Sequence, residues 1–311
     1  MSERVGRGEA PAKAILLGEH AVVYGYPAIA VPLPELHARA QARFDASIDD
    51  LLLELPERGQ TLSLQRQPEQ PLLVAAFLGA QAVGATAINL RLRLESNIPI
   101  ASGLGSGAAT ATAIMRALAN LFDRPVPPAR LSDLVYEVER IHHGTPSGID
   151  NTVVVYGQPL YFIKGQAPEF LQLAAPFHLV VADTGVPSPT RETVSALRQQ
   201  REASPVYVNA RLEAIGHLVE QARQALALGD MPALGQLLDA CHGVLSELGL
   251  SGPELDNLVR AARAGGALGA KLTGAGRGGN MIALVAEDAM APVCEALRAA
   301  GARRITLCRV G

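Results

Sequence analysis

Tryptophan is absent from the 311-residue chain, and aromatic residues together make up only 4% of it. Without indole platforms there is little on which the bases of a single-stranded nucleic acid could stack. Charge is low too, at 18% Asp, Glu, Lys and Arg with a net charge of −3. The basic residues are scattered, which argues against the concentrated positive field of a nucleic-acid partner or an anionic membrane surface. No apolar run reaches the ~20 residues needed to span a bilayer. The first residues, Met1-Ser2-Glu3-Arg4-Val5-Gly6-Arg7, lack the apolar centre of a secretory signal. Cysteine is scarce: Cys241, Cys294 and Cys308 are odd in number and far apart, which fits reduced core thiols better than a disulfide or zinc framework. A soluble, cytoplasmic protein is the expectation.

Apolar residues are plentiful, at 49%, enough for two domains or one large one. The chain is organised around Ser102-Gly103-Leu104-Gly105-Ser106-Gly107. Residues 88–95 alternate and read as a half-buried strand. Residues 108–122, rich in Ala, Leu and Met, read as a helix. The glycines therefore occupy a strand-to-helix turn, where positive φ and close backbone approach are allowed. Unpaired amides and the helix dipole make such a turn a phosphate site, although an ordinary glycine-rich helix start reads the same way. The loop matches neither the Walker pattern nor the dinucleotide fingerprint.

Elsewhere a buried strand is predicted within 9–18, a loop over 19–27, and strands over 28–34, 38–47, 51–55 and 61–65. Residues 69–83 read as a helix. A second helix is predicted over 131–142, with Leu131, Leu134, Val135, Val138 and Ile141 on one face. A tight segment follows over 143–151, then strands over 153–156 and 160–163. The texture changes over 165–176, which divides the chain into domains 1–168 and 169–311. Beyond it, strands are predicted over 177–182, 267–272, 281–286 and 303–310. Helices are predicted over 205–228, 232–248, 252–264 and 289–300. A sheet with helices grouped on it, α+β in class, follows.

Four features carry chemistry. Lys13 stands alone among apolar residues, either as a strand-end lysine reaching solvent or as a fixed cation beside a phosphate or carboxylate. Glu139 is either a surface charge or a hard oxygen ligand, of which Mg²⁺ takes one or two from protein. Asp150 is either a helix N-cap or a group that orients or deprotonates an attacking hydroxyl. His142 and His143 are adjacent and point apart, so they form no one-face metal pair. The second glycine loop, Thr273-Gly274-Ala275-Gly276-Arg277-Gly278-Gly279, has four glycines in six residues. That density calls for close approach to a ligand or to the other loop.

Taken together and in chain order, these stretches resemble the family of small-molecule kinases that includes galactokinase, homoserine kinase, mevalonate kinase and phosphomevalonate kinase. The N-terminal motif is matched by Ala10-Pro11-Ala12-Lys13 with Gly18-Glu19-His20-Ala21-Val22-Val23-Tyr24-Gly25. The phosphate loop is matched by residues 99–109 and the C-terminal glycine motif by 271–279. Runs 18–25 and 139–151 are most similar to the mevalonate kinases.

The resemblance implies an N-terminal ATP-binding half similar to domain 2 of ribosomal protein S5. It also implies a ferredoxin-like C-terminal half, with the active site in the cleft. ATP and mevalonate would be the substrates, Mg²⁺ the cofactor and the C5 hydroxyl the acceptor; the oligomeric state stays open, a homodimer included. Asp150 would be the base or hydroxyl-orienting group, with Lys13 near it. Ser106 and Glu139 would hold Mg²⁺. Backbone amides of Ser102, Gly103, Leu104, Gly105, Ser106 and Gly107 would wrap the phosphates. Glu19 and His20 would line the mevalonate pocket, and Thr184 and Thr190 match a stretch that closes over substrate. Two positions depart from the family pattern. Gly107 stands where a second serine is usual, and Arg277 stands where glycine is usual, as a cation near the phosphates or a solvated side chain.

Overall fold

A computed structural model describes residues 4–85, 89–99, 102–143, 146–188 and 190–311. Ile100 and Ala101 of the first glycine loop, Gly144 and Thr145 of the tight segment, and Pro189 lie outside the described residues, as do the side chains of His142 and His143. Helices and sheets are mixed in two compact units, the α+β arrangement expected. The units interleave along the chain.

The first unit comprises Met1–Ala12, Leu36–Ile98 and Gly105–Gly157. It holds the start of β1 (Val5–Leu17), the end of β2 (Ala28–Phe44), β3 (Leu51–Leu55), β4 (Gln60–Ser63) and β5 (Leu90–Ser96). β5 runs parallel to β3 and antiparallel to β2. Its alternation buries Leu90, Leu92 and Leu94, as the period-2 pattern predicts. Arg91 points the other way and pairs with Asp45 at 2.8 Å and Glu54 at 2.7 Å.

Helices α1 (Pro71–Ala82), α2 (Ser106–Phe122), α3 (Pro128–His143) and α4 (Ile149–Tyr156) complete this unit. The alanines of α2 let it lie directly on β1. A Cβ on Gly6 would fall 2.1 Å from the Ala117 carbonyl oxygen, and one on Gly8 2.2 Å from that of Ala113.

Three local expectations are corrected. Residues 153–156 form part of α4 rather than a strand. Gly148 at φ 93° starts the helix, and burial of Val153, Val154 and Val155 overrides their β preference. Residues 28–34 and 38–47 merge into one strand, because Pro32 and Pro34 fall between the ladder to β6 at Ala28–Ala30 and the ladder to β5 from Ala38 onward. Ile141, assigned to the buried face of α3, is 45% exposed in the last turn of that helix.

The second unit comprises Lys13–Glu35, Pro99–Leu104 and Gln158–Gly311. β6 (Leu160–Phe162) pairs with the start of β2 and with β7 (Glu169–Phe170). A four-stranded antiparallel sheet is ordered β11-β8-β10-β9, from β8 (Phe177–Asp183), β9 (Gly269–Thr273), β10 (Asn280–Val285) and β11 (Arg304–Val310). Helices α7 (Met231–Glu247), α8 (Pro253–Ala264) and α9 (Met290–Ala299) pack on this sheet, and α6 (Pro205–Leu228) packs on α7.

Helix α5 (Thr190–Ala203) has no counterpart among the sequence-based expectations. It is strongly polar, with only Thr193 and Leu197 buried, so its apolar stripe is too thin to register as a period.

Candidate active site

The second unit brings residues 102–104 of the first glycine loop against the second loop. β1 ends at Leu17, and Gly18 turns the chain at φ 105°, where a Cβ would stand 2.5 Å from the Ala28 Cα. Lys13 is buried near the end of that strand. Its N–H donates to the Leu104 carbonyl at 3.0 Å, and its Nζ donates to the Gly103 carbonyl at 3.0 Å. The strand-end lysine is thus a strut of the first glycine loop and does not reach out to solvent.

Gly103 in turn crosses Gly274 of the second loop, where a Cβ on either glycine would come within 3.0 Å of the other's Cα. Two glycines of the second loop, Gly274 and Gly279, thus lie against the first, while Gly276 and Gly278 lie against the Leu250 and Pro187 carbonyls. Side chains fix the junction. Asn280 Nδ2 donates to the Ser102 carbonyl at 3.0 Å. The Thr273 hydroxyl exchanges hydrogen bonds with the Ile15 backbone, donating at 3.1 Å and accepting at 3.2 Å. Ser102 is buried and caps the Pro99 carbonyl at 2.7 Å.

Thr184 donates its hydroxyl to the Gly279 carbonyl at 2.8 Å, which places it on the second loop. Thr190 is the first residue of α5, with its N–H on the Ser188 carbonyl at 2.9 Å. A hollow of about 500 Å³ opens beside this junction, lined in part by Ser102, Gly279, Asp183 and Arg304. Arg277 adopts φ 56°, a conformation glycine takes freely, and its Nε donates to the Gly249 carbonyl at 3.0 Å. Its side chain is therefore turned toward Gly249.

Electrostatics concentrate at Glu19, His20 and Lys271. The Lys271 ammonium binds Glu19 Oε1, with both side chains fully buried. Burial pushes the Glu19 carboxyl up, and the Lys271 charge and hydrogen bond oppose that push. His20 Nε2 bonds the Ala275 carbonyl at 2.9 Å, and burial pulls the imidazole down to about 4. The sequence reading includes Lys271 only as the first residue of the C-terminal glycine motif and assigns it no role. Its signal was the one that marked Lys13, a lone cation within an apolar strand.

In the first unit, Gly105 takes φ 72° and starts α2, so Ser106 and Gly107 occupy its first turn, where backbone N–H groups have no helical acceptor. Thr110 donates to the Ser106 and Gly107 carbonyls, at 2.9 Å each. Glu139, on α3, is 2% exposed and is not a surface charge. Asp150 lies in the first turn of α4, and Gly148 holds the N-cap position in its place. Asn151 beside it ties α4 to α3 through the Ser132 hydroxyl and carbonyl, at 2.8 and 3.1 Å. Among the described residues no group of three or more His, Cys, Asp or Glu could hold a metal ion. None of the described helices is long and apolar enough to cross a membrane.

Comparison with known proteins agrees with this arrangement. Residues 72–158 match the GHMP kinases N terminal domain, and residues 222–303 match the GHMP kinases C terminal domain. The mevalonate kinase of Thermococcus sibiricus is 36% identical, over 94% of this chain and 92% of its own length. That of Pyrococcus furiosus is 34% identical, over 94% and 92%. Among solved structures, L. major mevalonate kinase in complex with R-mevalonate superposes with a TM-score of 0.88 at 27% identity, covering 99% of this chain and 97% of that one. Both glycine loops, the two domain matches and relatives that align nearly end to end lead to one conclusion: this chain belongs to the GHMP kinase family.

Proposed function

We propose that the chain transfers the γ-phosphoryl group of ATP to the C5 hydroxyl of mevalonate, giving 5-phosphomevalonate and ADP. The observation that carries the reading is the end-to-end likeness to mevalonate kinases, set on a loop whose glycines and helix start suit phosphate. In this reading Asp150 accepts the hydroxyl proton as the oxygen attacks phosphorus and ADP leaves. Lys13 neutralises charge on the transferred group. Amides of Ser102, Gly103, Leu104, Gly105, Ser106 and Gly107 bind phosphate oxygens. Glu19, His20, Thr184 and Thr190 hold mevalonate.

Ser106 and Glu139 offer a hydroxyl and a carboxylate, hard oxygens suited to Mg²⁺. Their scarcity fits a magnesium ion completed by nucleotide phosphates and water and not by an all-protein cage. Bound there, the ion would neutralise charge across the β- and γ-phosphates. Gly107 supplies no second hydroxyl, so Ser106 or a water takes that place. The same proposal assigns residues 1–168 to an S5-like ATP-binding domain and 169–311 to a ferredoxin-like domain. The four-stranded antiparallel sheet with helices packed on it supports the second assignment.

The test is incubation with Mg-ATP and mevalonate, with the product identified by phosphorus NMR and Asp150→Asn run alongside. Loss of a general base lowers the rate by roughly 10²–10⁴. Phosphate on another oxygen, or release of CO₂, refutes the C5-hydroxyl assignment.

A further inference from the structure

His20 stands at φ 61°, ψ −45°, a region that residues with a side chain seldom occupy. The Ala21 N–H donates to the Glu19 carbonyl at 2.7 Å, closing a positive-φ γ-turn centred on His20, a strained conformation. Strain of this kind persists only where surroundings over-determine it, and it gathers at ligand clamps.

Two clamps act here. The ring is held by the Ala275 carbonyl at 2.9 Å. Because a carbonyl oxygen only accepts, Nε2 carries the ring proton and Nδ1 keeps its lone pair. Nδ1 has no hydrogen-bond partner among the described residues. The preceding residue is held by Lys271, whose Nζ binds Glu19 Oε1 and also donates to the Leu272 carbonyl at 2.6 Å. Both partners of that ion pair are fully buried. A buried ion pair is a poor device for stability, and apolar residues of equal volume often do as well. What it supplies is fixed geometry.

We propose that Lys271 is a positioning residue for the acceptor alcohol: through Glu19 it locks the γ-turn that presents His20 Nδ1 to a substrate hydroxyl. The inference rests on mevalonate being the acceptor. A neutral imidazole with its lone pair toward the ligand takes a proton donor and repels a phosphoryl oxyanion, so it favours a free alcohol over a phosphorylated one. Burial keeps the imidazole neutral, and the positive charges of Lys271 and Arg277 act in the same direction, against the pull of the Ala275 hydrogen bond.

The test compares wild type, Lys271→Met, and Lys271→Met with Glu19→Gln, the last leaving no unpaired buried charge. Nitrogen-15 NMR of labelled histidine reads the His20 tautomer and titration, while steady-state kinetics reads KM for mevalonate and for ATP. In wild type the ring stays an Nε2–H tautomer until the pH nears about 4. In both variants the tautomers mix, the titration moves toward ~6.5, and mevalonate KM rises roughly tenfold with ATP KM within about twofold.

An unchanged ring signature with an unchanged mevalonate KM in the double variant overturns the proposal. So does a parallel rise of both KM values, or a higher mevalonate KM with the ring signature intact. Should the single variant not fold, the double variant decides by the same criteria. A wild-type chain that leaves mevalonate unphosphorylated overturns the functional reading, while the ring signature in the variants still decides whether Lys271 clamps the turn.

Discussion

Gly103 and Gly274 cross so closely that a Cβ on Gly274 would stand 2.9 Å from the Gly103 Cα. Each comes from a different glycine loop, and each has positive φ, 80° and 84°. Within the second unit, residues 102–104 of the first loop are thereby seated directly on the second loop. Gly274→Ala meets backbone and also an unfavourable φ, so it is expected to cost about 1–3 kcal/mol of stability. The shift of the first loop should raise KM for ATP more than KM for mevalonate. Denaturant unfolding and steady-state kinetics measure the two effects separately.

Lys13 Nζ donates to the Gly103 carbonyl of the same junction. Lys13→Met removes that strut and the cation proposed to face the transferred phosphoryl group. A fall in kcat of roughly 10²-fold or more is expected, with a smaller change in mevalonate KM. A variant of near-normal kcat would leave Lys13 a structural residue.

Arg277 gives the opposite expectation. Its guanidinium is spent on the Gly249 carbonyl, and its backbone holds φ 56°. Arg277→Gly relieves that conformation and loses one exposed hydrogen bond, so stability should change by less than about 1 kcal/mol. KM for ATP should stay within about twofold. A large rise in that KM would show that the guanidinium reaches phosphate.

Two buried histidines set a pH dependence. Burial lowers His20 and His242 to about 4 each, below the ordinary value near 6.5. The unfolded chain therefore binds more protons than the native one between these values, and stability falls as pH drops from about 6.5 toward 4. Each group contributes on the order of 3 kcal/mol across that window. Urea titrations at a series of pH values should show the loss, and His242→Gln should remove part of it.

Where β1 meets α2, Gly8 has no room for a side chain, since a Cβ would fall 2.2 Å from the Ala113 carbonyl oxygen. Gly8→Val should cost more than about 3 kcal/mol, because backbone must move to admit it. A thermal-unfolding midpoint near the wild-type value would show that α2 can retreat.

Much of this was legible beforehand because local physics left a mark. The alternation of Leu90, Leu92 and Leu94 named β5, and the glycines before the alanine-rich run named a turn into α2. Lone charges in apolar surroundings pointed to Lys13, and the same rule applied once more would have named Lys271. The valines of α4 misled because β-branching is a weak local preference, and burial decided the outcome. Helix α5 left no mark because only two of its side chains are buried.

By itself the sequence determined the two glycine turns, most strands and helices, and the identities of the charged groups, since these follow from spacing and from what each side chain can do. Only the tertiary structure decided that Gly103 meets Gly274, that Arg277 turns to Gly249, and that His20 is strained and held in place. Those are relations between residues distant in the chain. They depend on packing that excludes a Cβ at one place and buries an ion pair at another, and no local pattern records them.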